Sequence, residues 1–183
     1  MSMRIMLAAI VVAGSAVAAI AQHRSPPLQP YAGQQGRAVT SLSAEELQGF
    51  LDGRGMGLAK AAEFNGYPGP MHVLELASEL QLTAEQRRDV QQAFHRMKTK
   101  AMNLGRRYVE AERAVDAAFR SRADAATVAG RVADANRLLG EVRLSHLNAH
   151  LEITPLLTTE QRARYAELRG YGGGEQTQHQ RKH

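Results

Sequence analysis

The chain has 183 residues, a formal net charge of +5 at pH 7 and no cysteine. The lack of cysteine excludes disulfides, thiolate metal sites, Fe–S clusters and thiol catalysis, and it leaves imidazole, carboxylate and thioether as metal ligands. Aromatic residues make up only 5% of the chain. A composition poor in aromatics and rich in alanine favours close-packed helices over a β-sandwich.

Residues 1–21 predict a secretory signal peptide. Arg4 supplies a short positive region, no charge follows from Ile5 to Ala21, and Ala19-Ile20-Ala21 forms an A-x-A cleavage site. The alternative is an uncleaved membrane anchor, although the uncharged stretch is slightly shorter than the roughly 20 residues that a span needs. We therefore expect export to the periplasm with cleavage after Ala21.

Two further segments are expected to lie outside the folded body. Residues 22–42 contain three Pro, two Gly and four Gln and predict a flexible lead-in. Residues 170–183 are rich in Gly and Gln and predict a disordered, solubilising tail, in which His179 and His183 offer weak metal ligands. The folded domain is accordingly predicted to be all-α and to cover residues 43–169.

Three helix starts in this domain share one pattern. Each places Ser or Thr three residues before Glu or Gln, as a capping box does when two side chains satisfy two backbone N–H groups. The pairs are Ser43 with Glu46, Thr83 with Gln86, and Thr158 with Gln161.

The longest helices are predicted from apolar seams with alternating steps of three and four residues. One seam runs from Val90 to Ala118 and the other from Val128 to Ile153, with Asp124 as N-cap between them and Pro155 as terminator. We expect an antiparallel helical hairpin about 45–55 Å long. Shorter helices are predicted at Ser43 to about Phe64, interrupted by glycines, at Met71 to about Leu80, and at Thr158 to about Arg169.

Four histidines are predicted to gather at one end of this hairpin. His146 and His150 are four residues apart and so share a helix face. With the hairpin turn near residues 122–123, His150 faces His95, and His72 lies about one turn away, near Glu75. Such a set suits Zn, Ni, Co or Cu. The alternative is one partly buried, hydrogen-bonded histidine and one surface histidine.

The two LTxxQ motifs resemble those of the Spy/CpxP family of periplasmic proteins, a likeness that covers about residues 70–169. The motif residues are Leu82, Thr83, Gln86, Leu157, Thr158 and Gln161. The resemblance implies an all-α protein that often forms a homodimer with a curved cradle shape. Some members are ATP-independent chaperones that hold unfolding clients, and others restrain a membrane sensor kinase of the envelope-stress response.

A CnrX-like and ZraP-like branch of this family binds heavy metals for sensing. In its pattern His72 matches the first ligand, Leu76 stands where a second histidine is expected, and the glutamate position falls at Phe94 or His95. His146 and His150 match a His-x3-Met pair, with histidine in place of methionine. The stretch 63–70 has no counterpart in the motif and is interpreted as a cap on the end of the hairpin.

Two functions follow as expectations. The first is a chaperone or stress adaptor that binds unfolded periplasmic proteins or a membrane sensor protein; the alternative is a heavy-metal sensor or buffer. Basic residues predicted to meet clients crowd the first half of the long helix, although a solvated face with interspersed acids is an equal explanation. These residues are Arg87, Arg88, Arg96, Lys98, Lys100, Arg106 and Arg107.

Two other classes are disfavoured. The chain has no Gly-rich phosphate loop, nucleophile elbow, HExxH motif or cysteine, so an enzyme is not expected. Nucleic-acid binding is not expected either, because export separates the chain from nucleic acid and no aromatics interleave with the basic residues.

Overall fold

The computed structural model describes residues 29–171. The chain divides into two units between Gly33 and Gln34. Within the first unit the described residues 29–33 form turns, with the Ala32 amide donating to the carbonyl of Gln29. The predicted signal peptide and the tail histidines His179 and His183 lie outside the described residues.

The second unit is all-helical, and no β-strand occurs between residues 34 and 171. None of the helices described is long and apolar enough to traverse a lipid bilayer. The α-helices are α1 (Ala44–Leu51), α2 (Lys60–Glu63), α3 (Pro70–Glu75), α4 (Ala84–Arg120), α5 (Ala125–Ile153) and α6 (Thr159–Leu168), with one 3₁₀ turn at Thr154–Leu156.

All three predicted capping boxes are confirmed. In each box the hydroxyl of the cap accepts from the amide three residues on, and that residue's side chain accepts from the cap amide. The predicted cap of α5 is confirmed as well, because the Asp124 carboxylate accepts from the Thr127 amide at 2.8 Å. The helix starts are therefore fixed by local side-chain chemistry.

The long helices α4 and α5 contain 37 and 29 residues and pack against each other. Their contact is made by buried seam residues such as Ala101, Leu104 and Tyr108 on α4 and Ala135 and Val142 on α5. Alanine at these positions allows two helix backbones to approach closely. Residues 121–124 connect the helices, and Pro155 lies in the 3₁₀ turn that follows α5.

Residues 39–42, the last part of the predicted lead-in, contact the helical body. Val39 and Leu42 are only 1% and 7% exposed and belong to the core beside α4. The Thr40 amide donates to Asp116, and the Ser41 hydroxyl donates to Glu112 at 2.6 Å. Val39 and Leu42 therefore belong to the apolar core although they lie in a Pro- and Gln-rich stretch, because the surfaces that cover them come together only in the folded protein.

The predicted interruption of the first helix by glycines is confirmed, whereas the next helix is shorter than predicted. α1 ends at Leu51 and α2 begins at Lys60, and between them Gly53, Met56 and Gly57 all adopt positive φ. The next predicted helix, to about Leu80, ends as an α-helix at Glu75 and continues as turns. Glycines with positive φ redirect the chain across α4 instead of extending a helix.

The core consists of two clusters with a cavity between them along the long helices. One cluster surrounds Phe50, Leu104, Tyr108 and Val142, where α1 meets α4 and α5. The other surrounds Val73, Val90, Ile153 and Tyr165, near the starts of α4 and α6. Leu82 and Leu157 of the two LTxxQ motifs belong to the second cluster. Side chains at intermediate positions of α4 and α5 therefore face the gap between the clusters.

Candidate functional site

Three of the four candidate histidines line one cavity of about 450 Å³. His146 and His150 come from α5 and His72 from α3, while Phe94 and Met97 face the same cavity from α4. His95 is exposed and lies along a different groove with Arg96 and Lys100. The predicted convergence of all four histidines is wrong for His95, because each helical residue turns by about 100° and Phe94 occupies the inward position.

His72 and Glu75 form a local pair at the edge of this cavity. The His72 Nδ1 lies 2.8 Å from a Glu75 carboxylate oxygen, three residues on along the chain. The two side chains are 25% and 58% exposed. Glu75 therefore orients the imidazole of His72 from the solvent side.

His150 is held by the segment that precedes α3. Its Nδ1 donates to the carbonyl oxygen of Tyr67 at 2.8 Å. A carbonyl oxygen can only accept, so the Nδ1 of His150 carries a proton. The buried His150 thus ties the loop between α2 and α3 to the end of α5.

His146 is a buried titratable group of the site. It is 5% exposed, and burial, with a smaller contribution from His150, lowers its pKa to about 4. The imidazole is consequently neutral at pH 7. Its Nε2 is buried and has no hydrogen-bond partner within the described structure.

The predicted metal ligands do not fit a four-histidine site. Across residues 29–171 no group of three or more His, Asp or Glu side chains is arranged to hold a metal ion. His95 points to another surface, and His72 is paired with Glu75 at the cavity edge. Of the predicted ligands, only His146 and His150 remain side by side, on the wall of the cavity that α5 forms.

One wall of the cavity is fixed by a carboxylate from α2. Glu63 accepts from the Tyr165 hydroxyl of α6 at 3.1 and 2.9 Å, one distance for each carboxylate oxygen. The same hydroxyl accepts from the Gly69 amide at 3.3 Å. Burial raises the pKa of Tyr165 well above its usual value, with the charge of Glu63 adding to the rise. The phenol therefore stays protonated and links α2, α3 and α6.

The predicted client-binding cations are distributed around α4 instead of forming one face. Arg88 pairs with Glu85 and Asp89, and Arg96 pairs with Glu152 of α5. Lys98 lines the histidine cavity, whereas Arg106 and Arg107 line a third groove. Within the described structure no ion pair is formed by Arg87, Lys98, Lys100, Arg106 or Arg107.

Sequence reasoning missed several residues that complete the cavity. Arg169 closes it from the end of α6, Lys60 and Glu63 contribute from α2, and the glycine-rich stretch 53–57 forms one edge. In the sequence, only the glycine cluster and the predicted cap at residues 63–70 indicated that these segments lie near the histidines. Nothing in the sequence indicated Arg169, since it lies far along the chain from the histidines.

Comparison of the chain with protein families, curated proteins and solved structures finds no match.

Proposed function

We propose that the protein is an exported, Spy/CpxP-like ATP-independent chaperone or stress adaptor that binds unfolded periplasmic proteins or a membrane sensor protein. In this proposal α4 and α5 form the antiparallel hairpin of that family, and two copies associate as a homodimer. The support comes from the LTxxQ capping boxes, the long helix pair and the apolar side chains that the surface exposes.

The observation that carries the proposal is a leucine stripe on the outer face of α5. Leu144 and Leu151 are 53% and 55% exposed, and the half-buried Leu147 lies between them. Residues at i, i+3 and i+7 share one helix face, so the three side chains are neighbours. Soluble monomers seldom expose contiguous apolar patches unless the patch binds something.

Exposed cations on α4 add a second feature that favours client binding. Lys100, Arg106 and Arg107 are exposed, lie along grooves of α4 and have no acidic partner in the described structure. Unpaired cations raise the rate of encounter with acidic polypeptides and make binding sensitive to salt. We expect acidic, partly unfolded clients to be preferred.

Aggregation of α-lactalbumin unfolded by reduction tests the proposal without ATP. The reductant leaves this protein unchanged because the chain has no cysteine. The wild type is expected to suppress light scattering at a few-fold molar excess. The double variant Leu144→Gln/Leu151→Gln is expected to lose most of this protection, whereas Val132→Gln, an exposed apolar position on another face of α5, keeps it.

Sedimentation of the same variants separates client binding from self-association. If Leu144→Gln/Leu151→Gln converts a dimer to a monomer, the stripe is the interface between copies and the client surface lies elsewhere. Absence of protection by the wild type at several-fold excess would contradict the chaperone proposal altogether.

The heavy-metal alternative stays a prediction without a fitting ligand set. Two imidazoles, His146 and His150, are fewer than the three or four protein ligands of typical zinc sites. Calorimetric titration with Zn, Ni, Co and Cu of the wild type and His146→Ala/His150→Ala tests it. We expect equal, weak binding by both; tight binding that the double variant loses would restore this function.

A further inference from the structure

The cavity between the two core clusters combines an apolar lining with an excess of positive charge. Phe64, Phe94, Met71 and Met97 supply aromatic and thioether surface. The same cavity is lined by the cations Arg54, Lys60, Lys98 and Arg169 and by a single carboxylate, that of Glu63. Glu63 also accepts from the Tyr165 hydroxyl, and Arg54 pairs with Asp52 at 3.8 Å. The cavity lining nevertheless contains more cations than carboxylates.

Two buried polar atoms in this cavity lack partners. They are the Nε2 of His146 and the Nε of Arg169, and no other buried side-chain nitrogen or oxygen of residues 29–171 is without a hydrogen bond. Both residues line the cavity. An unsatisfied buried donor or acceptor destabilises the folded protein unless a partner is supplied. Of these two groups only the Arg169 guanidinium is charged, so it favours an anionic group nearby, whereas the neutral His146 imidazole favours a polar group of any charge.

Arg169, Lys60 and Lys98 make few interactions with the protein and can therefore bind a ligand. Arg169 donates from Nη2 to the Tyr171 hydroxyl at 3.2 Å and lies over the Tyr171 ring, with 5.7 Å from Cζ to the ring centroid. Its planar guanidinium is thereby held while Nε stays free. Lys60 and Lys98 form no ion pair within the described residues.

We propose that this cavity binds a small amphipathic carboxylate, with its apolar body against Phe94 and Met97 and its carboxylate on Arg169, supported by Lys98. A volume of about 450 Å³ lies within the range of about 300–1,000 Å³ typical of small-molecule sites. An apolar wall with a few placed cations fits such a ligand better than an inorganic anion, which needs polar groups on all sides. This inference is independent of client binding on α5.

Calorimetry of the full-length protein with three probes of one shape tests the charge preference. The probes are 2-naphthoate, the neutral 2-naphthalenemethanol and the cationic 2-naphthylmethylammonium; decanoate and acetate test whether an aliphatic or a minimal carboxylate suffices. We expect naphthoate to bind about ten- to a hundred-fold tighter than the alcohol, as for a hydrogen bond to a charged group. Acetate is expected not to bind, and a stronger response to decanoate would assign an aliphatic ligand.

Variants assign the binding to these cations. Arg169→Gln and Lys98→Gln are each expected to weaken naphthoate binding at least several-fold and to leave the alcohol unchanged. Lys100→Gln is the matched control, since it lies two residues further along α4 and lines a different groove. Thermal midpoints of all variants verify folding, and Lys98→Gln keeps the test valid if Arg169→Gln unfolds.

Three outcomes would overturn the proposal. Equal affinity for naphthoate and the alcohol would leave only an apolar crevice. If Lys98→Gln and Lys100→Gln weakened naphthoate binding equally, the binding would come from general surface charge and not from this cavity. If no probe binds at millimolar concentration, the cavity is not a carboxylate site, and ordered water satisfies His146 and Arg169 instead.

Discussion

Gln86 and Gln161, one from each LTxxQ motif, exchange reciprocal side-chain hydrogen bonds. The Gln86 amide donates to Gln161 Oε1 at 2.8 Å, and the Gln161 amide donates to Gln86 Oε1 at 3.0 Å. Each amide also donates to a distant carbonyl, that of Leu156 or Leu80. Each Oε1 in addition accepts from its own cap amide. The two capping boxes therefore lock the starts of α4 and α6 to each other.

This arrangement explains why both motifs end in glutamine. Gln86→Glu keeps the acceptor that the Thr83 amide needs but removes both donated hydrogen bonds. We expect a loss of about 1–2 kcal/mol in the free energy of unfolding, since the carboxylate near the helix start offsets part of the loss. Urea unfolding measures it, and Gln86→Glu/Gln161→Glu should cost more than the sum of the single changes, because the donated bonds that are lost are distinct and two carboxylates then face each other.

The first capping box supplies the control. Glu46 accepts from the Ser43 amide at 2.9 Å and donates nothing, and the bonds from Ser43 lower its pKa. Glu46→Gln is therefore expected to change stability by no more than about 0.5 kcal/mol. If Glu46→Gln lowered the free energy of unfolding as much as Gln86→Glu does, the hydrogen bonds donated by the Gln86 amide would not explain the effect of Gln86→Glu.

Gly105 is required by the approach of α1 to α4. A Cβ at this position would collide with the carbonyl group of Phe50, which is backbone and cannot rotate away. Gly105→Ala is expected to destabilise the protein by about 1–3 kcal/mol through overpacking. Gly140→Ala on α5 has open space around the added methyl group and is expected to stabilise by about 0.5–1 kcal/mol. Thermal unfolding of both variants measures the contrast, and a stabilising Gly105→Ala would contradict the observed contact.

Burial of His146 predicts acid sensitivity. Its pKa falls from 6.5 to about 4 on folding, so between these values the unfolded chain binds a proton that the folded protein excludes. Stability is expected to decrease as the pH falls from about 6.5 to about 4, by up to about 1.4 kcal/mol per pH unit, and this contribution is constant above pH 6.5. Unfolding of His146→Gln should show a shallower slope in this window. The exposed His95→Gln should keep the wild-type slope, and equal slopes for all three proteins would contradict the prediction.

The hydroxyl of Tyr165 is expected to hold α2 against α6. Tyr165→Phe leaves the half-buried Glu63 carboxylate and the Gly69 amide without this partner. We expect a loss of about 1–3 kcal/mol and faster hydrogen exchange of the α2 amides. Tyr67→Phe removes a hydroxyl that makes no hydrogen bond in the described structure and should change neither quantity. Unchanged exchange in Tyr165→Phe would show that Glu63 does not fix α2.

Local chemistry made much of the helical architecture predictable. The capping residues Ser43, Thr83, Asp124 and Thr158 accept from backbone amides three residues along the chain. Such short-range interactions can be recognised from the sequence alone. The long apolar seams likewise predicted the extents of α4 and α5. The glycines at 53, 55 and 57 likewise predicted the interruption between α1 and α2, where Gly53, Met56 and Gly57 adopt positive φ. The helix predicted from Met71 to about Leu80 was too long, since α3 ends at Glu75.

The composition favoured close-packed helices and excluded thiol chemistry, and the spacing of His146 and His150 placed two imidazoles on one face. Only the tertiary structure decided which other side chains meet them. It turned His95 to another surface, because one helical step rotates a side chain by about 100°. It also brought Arg169 and Lys60 to the cavity from distant positions. Sequence spacing fixes neighbours along a helix, whereas contacts across the fold depend on how the clusters around Phe50 and Tyr165 pack.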